Sequence, residues 1–213
     1  MTGRLDRQAR YFYLILIAVF LAMMAYTIPW LVTPAVSLSL GANDLAEWAS
    51  LHPEVRASSP SLLVSLLLRL PLVFLALIVG FSTPGPARKS MVWWLGVLVI
   101  MFIVLLLLPP LEFFTSARGD QNYQQQMTLA IIALGGSVFG CSGLIARLRV
   151  FVVAGCALAG VGVSGIGFQK AHALMRGFNL SVQIGGGVGL TMLFFVAIMV
   201  VAWQLNIKQG SAR

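Results

Sequence analysis

Six long apolar runs, each long enough to cross the hydrocarbon of a bilayer, divide this chain of 213 residues. A membrane-spanning helix needs about 20 predominantly apolar residues. The segments that qualify are residues 11–32, 60–81, 91–108, 127–146, 150–168 and 180–203. Strands of a membrane barrel would alternate apolar and polar residues over about ten positions, and these runs do not alternate. The sequence therefore predicts an all-α polytopic membrane protein with six transmembrane helices in a single integral membrane domain.

The composition agrees with this class, because charged residues make up only 9% of the chain. A soluble domain carries about 25% charged residues, and so few charges cannot cover a water-facing surface. The formal net charge of +8 comes from basic residues that, apart from Arg69, lie between or beside the apolar runs. Nucleic-acid-binding proteins instead gather such residues on one face. We therefore expect the lipid bilayer as the surroundings of the chain, and no nucleic-acid partner.

The positions of the basic residues predict the orientation, because cytoplasmic loops of membrane proteins carry an excess of lysine and arginine. With the N-terminus inside, nine basic residues fall in inner segments and four fall in outer segments. Both termini are then cytoplasmic. The six helices form three hairpins closed by outer loops at residues 33–59, 109–126 and 169–179. The short loops favour the cytoplasmic (inner) membrane of a prokaryote.

The first outer loop contains the stretch GANDLAEWASLHPEVR, which holds three of the six acidic residues of the chain. Asn43 is a favourable helix N-cap, and Asp44 suits the first turn of a helix. The spacing places Leu45 and Trp48 on one face and turns Asp44 and Glu47 toward the other. This pattern is typical of an amphipathic helix that lies in the headgroup region. A lid over an outer cavity is the alternative interpretation.

No cofactor or metal site and no enzymatic activity are predicted. Glu47 and His52 are five residues apart, whereas helical metal ligands favour a spacing of four. Cys141 and Cys156 lie in apolar runs without metal-binding spacing. The tetrapeptides GCSG and GVSG resemble the Gly-x-Ser-Gly motif of rhomboid intramembrane proteases. That family supplies a histidine base from a later span, and the last span of this chain contains none.

Arg69 is the one charged residue inside a predicted span. It follows the start of that span by about nine residues, which places it some 13 Å along the helix. Charges at such a depth are costly and usually functional. The expected partner is a loop carboxylate such as Glu112, a partner subunit, a lipid phosphate or an anionic ligand. The alternative is that the side chain snorkels outward to the interface.

Small residues are frequent in the last three spans, and they allow the close contact on which helix association in lipid depends. The predicted helix-packing residues are Gly136, Gly140, Gly160, Ser164, Gly185, Gly186, Gly187 and Gly189. These residues would serve either packing within the chain or docking of another protein.

Two functions follow from these features. The scarcity of polar groups in the spans and the glycine-rich faces predict a non-catalytic integral subunit of a larger membrane complex. Its partners would be other membrane protein subunits. The alternative is a small transporter or solute-binding membrane component with an outward-facing site near Arg69, Asp44 and Glu47.

In gross layout the chain is similar to the substrate-binding components of energy-coupling-factor vitamin transporters. The similarity covers the six spans, the small soluble mass, the long first outer loop and the spacing of Ala18 and Ala22. It implies that the first outer loop closes over a ligand.

Overall fold

A computed structural model describes residues 2–33, 38–83, 91–145, 148–177 and 181–210, without the side chains of residues 2–8 and 205–210. These ranges contain six long helices and two short ones. The long helices are α1 Thr2–Thr27, α4 Leu63–Ser82, α5 Met91–Leu107, α6 Gln121–Cys141, α7 Arg149–Arg176 and α8 Gly186–Gly210. The short ones are α2 Ala42–Leu51 and α3 Pro53–Ala57, and a 3-10 helix covers Leu111–Phe114.

Among the described residues, four helices are long and apolar enough to cross a membrane, namely Ala9–Thr27, Leu63–Ser82, Arg149–Arg176 and Gly186–Gln204. Helix accounts for 79% of the structure, which confirms the predicted class of a helical membrane protein. The count of six spans, their hairpins and the orientation of the termini stay predictions. The α5 helix is apolar but has only 17 residues, and α6 begins within a polar segment.

The α4 helix is the centre of the bundle and packs against α1, α2, α5, α6 and α7. The α8 helix packs between α1 and α7. On α4, residues such as Leu75 and Ile78 are completely buried, whereas the peripheral α5 exposes Leu98 and Leu105. Lipid tails are as apolar as leucine side chains, so these exposed side chains on α5 are compatible with a lipid-facing position.

Glycines set the distance between α4 and α6. A Cβ atom at Gly140 would lie 2.8 Å from the backbone of Gly80 and Phe81, and one at Gly80 would lie 2.7 Å from the backbone of Ser137. Real Cβ atoms do not approach other atoms this closely. The two backbones therefore touch at a point where only glycine fits, as expected for small-residue packing in a membrane.

Six of the predicted packing residues are buried or lie against other parts of the described chain: Gly136, Gly140, Gly160, Ser164, Gly185 and Gly187. Gly160, for example, faces the ring of Phe195 on α8. A Cβ atom at Gly186 or Gly189 would meet nothing within 4 Å. The packing residues therefore serve contacts within this chain at six of the eight positions.

A small antiparallel sheet, which the sequence did not indicate, lies at one end of the bundle. Its central strand β1, Leu31–Thr33, pairs with β2, Leu38–Leu40, and with β3, Gln183–Ile184. Because β1 follows α1 and β3 precedes α8, the sheet joins the end of α1 to the start of α8. Strands of two or three residues are too short to show alternation of apolar and polar residues.

Two predicted loops are partly helical. The α6 helix begins at Gln121, so the polar stretch QNYQQQ, which falls in the predicted outer loop 109–126, is its first part. The α7 helix continues to Arg176 and includes residues predicted to form the third outer loop. In both places helical hydrogen bonding extends beyond the apolar run, and each extension contains a buried residue, Asn122 on α6 and Met175 on α7.

We expect Gly140→Ala to lower the stability of the purified protein in detergent by about 1–3 kcal/mol, because the added methyl group would force α6 away from α4. The measurement is the midpoint of thermal unfolding. Gly135→Ala is the matched control on the same helix, since its Cβ atom would meet nothing within 4 Å. Equal midpoints for the two variants would contradict the proposed backbone contact.

Candidate functional site

Arg69 lies inside the bundle, and only 2% of its side chain is exposed. Its Nη2 atom donates to Oε1 of Glu47 at 2.6 Å, and its Nη1 atom donates to Oδ1 of Asn122, also at 2.6 Å. A buried charge is tolerated when it is paired and hydrogen-bonded, and Arg69 meets both conditions. The guanidinium therefore does not snorkel to the surface.

Glu47 is the centre of the polar network around Arg69. Besides the guanidinium, it accepts hydrogen bonds from Nε2 of Gln126 at 2.5 Å and from Nδ2 of Asn122 at 3.0 Å. Asn122 and Gln126 are both buried, whereas 44% of the Glu47 side chain is exposed. Both oxygens of the carboxylate thus accept from protein donors, although part of the side chain reaches the surface. We call these four residues the clamp.

The α2 helix places Glu47 at the clamp because its small side chains allow it to lie directly on α4. Five of its residues are completely buried: Ala42, Leu45, Ala46, Ala49 and Ser50. Of the residues predicted to share the apolar face, Leu45 is completely buried and Trp48 is half-buried, whereas Leu51 one turn further is 72% exposed. The N-cap is also different from the prediction, since Gly41 rather than Asn43 precedes the first turn.

The α6 helix contributes the two amides. Asn122 and Gln126 are four residues apart, so both side chains lie on one face of the helix. Asp120 caps this helix, because its Oδ1 atom accepts from the backbone N–H groups of Asn122 at 2.8 Å and Tyr123 at 3.3 Å. Sequence reasoning missed both amides, although their spacing at the start of an apolar run was a readable signal.

A second ion pair joins α3 to the start of α6. Nη2 of Arg56 lies 3.3 Å from Oδ2 of Asp120, and Nε of Arg56 donates to the carbonyl of Ser50 at 2.7 Å. The two paired side chains are 40% and 28% exposed, so solvent screens their attraction. The pair therefore adds little to the free energy of unfolding, and its main effect is to fix the position of α3. We call α2 and α3 together the cap.

The other predicted contact residues lie outside the clamp. Asp44 is exposed on the first turn of α2, and the ring of Trp48 lies 6.1 Å from that of His52. Glu112 belongs to the exposed 3-10 helix. It is not the carboxylate that pairs with Arg69, because α2 folds back onto α4 and brings Glu47 to that position instead.

Tyr26 lies next to the clamp, close to the place where Pro71 interrupts the helical hydrogen bonding of α4. Pro71 has no N–H group, so the helical hydrogen bonding one turn before it is interrupted. The hydroxyl of Tyr26 donates to the carbonyl of Leu68 in that turn at 3.0 Å. The carbonyl that Pro71 leaves without its helical donor is that of Leu67, so the Tyr26 hydroxyl joins α1 to the carbonyl directly after it.

The clamp combines one cation, one carboxylate and two amides. Such a set can hold the three helices α2, α4 and α6 together, or present a partly exposed carboxylate at the surface. Within the described part of the chain, no group of three His, Cys, Asp or Glu side chains lies close enough to hold a metal ion.

Comparisons with protein families, curated proteins and solved structures found no match to this chain. Its function is therefore inferred from the geometry of the clamp and the cap.

We expect Glu47→Gln to destabilise the protein by about 3 kcal/mol, because it leaves the buried charge of Arg69 without a counter-ion. Asp44→Asn removes an exposed acid from the same helix and is expected to cost less than about 1 kcal/mol. Unfolding midpoints in detergent measure both changes. A Glu47→Gln midpoint equal to that of Asp44→Asn would show that the ion pair does not hold the cap.

Burial by itself would raise the pKa of Asp120, but hydrogen bonds from the N–H groups of Asn122 and Tyr123, and the nearby Arg56, lower it below its ordinary value of 3.8. A group with a depressed pKa stabilises the folded state above its unfolded value and loses this effect as the pH falls through the folded value. The midpoint difference between wild type and Asp120→Asn should therefore be constant above about pH 5. It should shrink below pH 3.8, and a difference that persists there would contradict this role.

Proposed function

We propose that this chain is a non-catalytic integral subunit of a larger membrane protein complex, in the cytoplasmic membrane of a prokaryote with both termini inside. The observation that carries the proposal is the internal neutralisation of Arg69. Charged groups inside a membrane domain usually mark a path or site for ions or substrates. Both Nη atoms of Arg69 are instead bonded to Glu47 and Asn122, which favours a structural role.

The clamp holds the cap in one position on the bundle. Glu47 joins α2 to α4 and α6, and Arg56 joins α3 to Asp120 at the start of α6. A surface fixed in this way loses less conformational entropy when it binds a partner. This rigidity suits a docking surface better than a mobile lid.

The cap end of the bundle also has the mixed composition of an interface. Leu51 is 72% exposed and Leu111 is 85% exposed, and the acids Asp44 and Glu54 are exposed nearby in the chain. Protein interfaces combine an apolar centre with a polar rim. We propose that other membrane subunits contact the chain here.

The second candidate is a small transporter or solute-binding component with an outward-facing site near Arg69. One observation favours it, namely that 44% of the Glu47 side chain is exposed. A cationic solute could approach this carboxylate from the surface without displacing the buried amides.

The test is a pull-down in mild detergent with a tag after Arg213, followed by mass spectrometry and native sizing. Wild type is compared with Arg69→Leu, which removes the clamp, and with Arg118→Leu, which removes an exposed arginine of another segment. We expect wild type and Arg118→Leu to retain stoichiometric membrane partners, and Arg69→Leu to lose at least about 90% of them because the cap is released.

A wild-type protein that purifies as a clean monomer or homo-oligomer would contradict the subunit proposal. Loss of solute uptake in Arg69→Leu, with expression and assembly unchanged, would support the transporter instead. Partners retained equally by all three proteins would show that the cap is not the docking surface.

A further inference from the structure

A pocket of about 550 Å³ lies beside the cap, between the start of α4 and the last turns of α7. Its lining residues are His52, Glu54, Val64, Lys170, Ala173, Leu174 and Gly177. None of these belongs to the clamp, and Glu54 is the one residue that the pocket shares with the proposed subunit contacts. Two parts of the chain that are distant in sequence, residues 52–64 and 170–177, therefore build one concave surface.

The length of α7 indicates the level at which this pocket lies in the bilayer. The helix begins at Arg149 and has 28 residues, whereas about 20 residues cross the hydrocarbon. A crossing of about 20 residues that begins at Arg149 would end near Lys170. The lining residues of α7 then lie at the level of the lipid headgroups, with the lipid tails directly below them.

The lining is divided by charge and polarity. Lys170 supplies a cation and Glu54 supplies an anion. Gly177 follows the last residue of α7, and the C-terminal end of a helix carries a partial negative charge that favours cations. Val64 and Leu174 form an apolar wall in the same pocket. The pocket thus offers a site for an anion, a site for a cation and a surface for hydrocarbon.

We propose that this pocket binds a phospholipid whose headgroup carries a phosphate and a primary ammonium group, as phosphatidylethanolamine does. Lys170 binds the phosphate. Glu54 and the C-terminal end of α7 bind the ammonium group, which has three N–H donors for these acceptors. Val64 and Leu174 contact the first methylene groups of the acyl chains.

The same lining disfavours the other common headgroups. A glycerol headgroup leaves the lipid with a net negative charge and gives Glu54 no cation, so the carboxylate would repel it. A choline headgroup carries a cation but has no N–H donor for the carboxylate or for helix carbonyls. The predicted order of affinity is therefore ethanolamine above choline and glycerol.

The test uses the full chain in detergent and titrates three short-chain lipids, dihexanoyl phosphatidylethanolamine, phosphatidylcholine and phosphatidylglycerol, with native mass spectrometry as the readout. We expect Lys170→Gln and Glu54→Gln each to weaken binding of the ethanolamine lipid about tenfold, as the loss of one charged contact does. Arg176→Gln and Glu112→Gln are the matched controls, since neither residue lines the pocket, and both should bind as wild type does.

Glu54 and Lys170 are exposed, so the variants should fold, and their unfolding midpoints check this. The proposal is overturned if both variants retain wild-type affinity, or if the glycerol lipid binds as tightly as the ethanolamine lipid. It is also overturned if free phosphoethanolamine binds as tightly as the lipid, because the ligand would then be a soluble zwitterion. The lipid titration and the pull-down measure different things, namely lipid affinity and retained protein partners. The lipid proposal and the subunit proposal can therefore fail separately.

Discussion

The ion pair between Arg69 and Glu47 is the interaction on which the cap end of this protein depends. Arg69 is almost completely buried in the central helix, and a single carboxylate supplies its counter-charge. The amides of α6 complete its hydrogen bonds and also hold the carboxylate in place. Because the desolvation of a buried charge is compensated only when all these groups are present, the positions of α2, α4 and α6 are linked.

Small side chains make this linkage sterically feasible. The buried face of α2 is mainly alanine, so its backbone lies close enough to α4 for a glutamate to reach the guanidinium. Glycines do the same between α4 and α6, where Gly80 and Gly140 let the two backbones touch, and Asn122 and Gln126 lie on the same α6 helix. Residues without polar atoms thus determine where the polar ones meet, as in many membrane domains where packing replaces the hydrophobic effect between helices.

The class of the protein could be predicted from the sequence because lipid imposes a requirement on every residue of a span. Arg69 was recognisable for the same reason, as a charge in an apolar run. Its partner was not, since Glu47 and Glu112 are equally plausible loop acids until the fold of α2 is known. Asn122 and Gln126 were missed because polar residues before a span suit a wet loop as well as a helix. The sheet was missed because its pairing joins residues that are far apart in sequence.

The order of the clamp residues along the chain has a consequence for biogenesis. Glu47 precedes Arg69 by 22 residues, whereas Asn122 follows it by 53. When α4 leaves the ribosome and enters the insertion machinery, its neutralising carboxylate has already been synthesised, but the amides of α6 have not. A nascent chain can therefore present Arg69 to the bilayer as a neutral ion pair with Glu47. Once α6 has been synthesised, its amides add their hydrogen bonds to that pair.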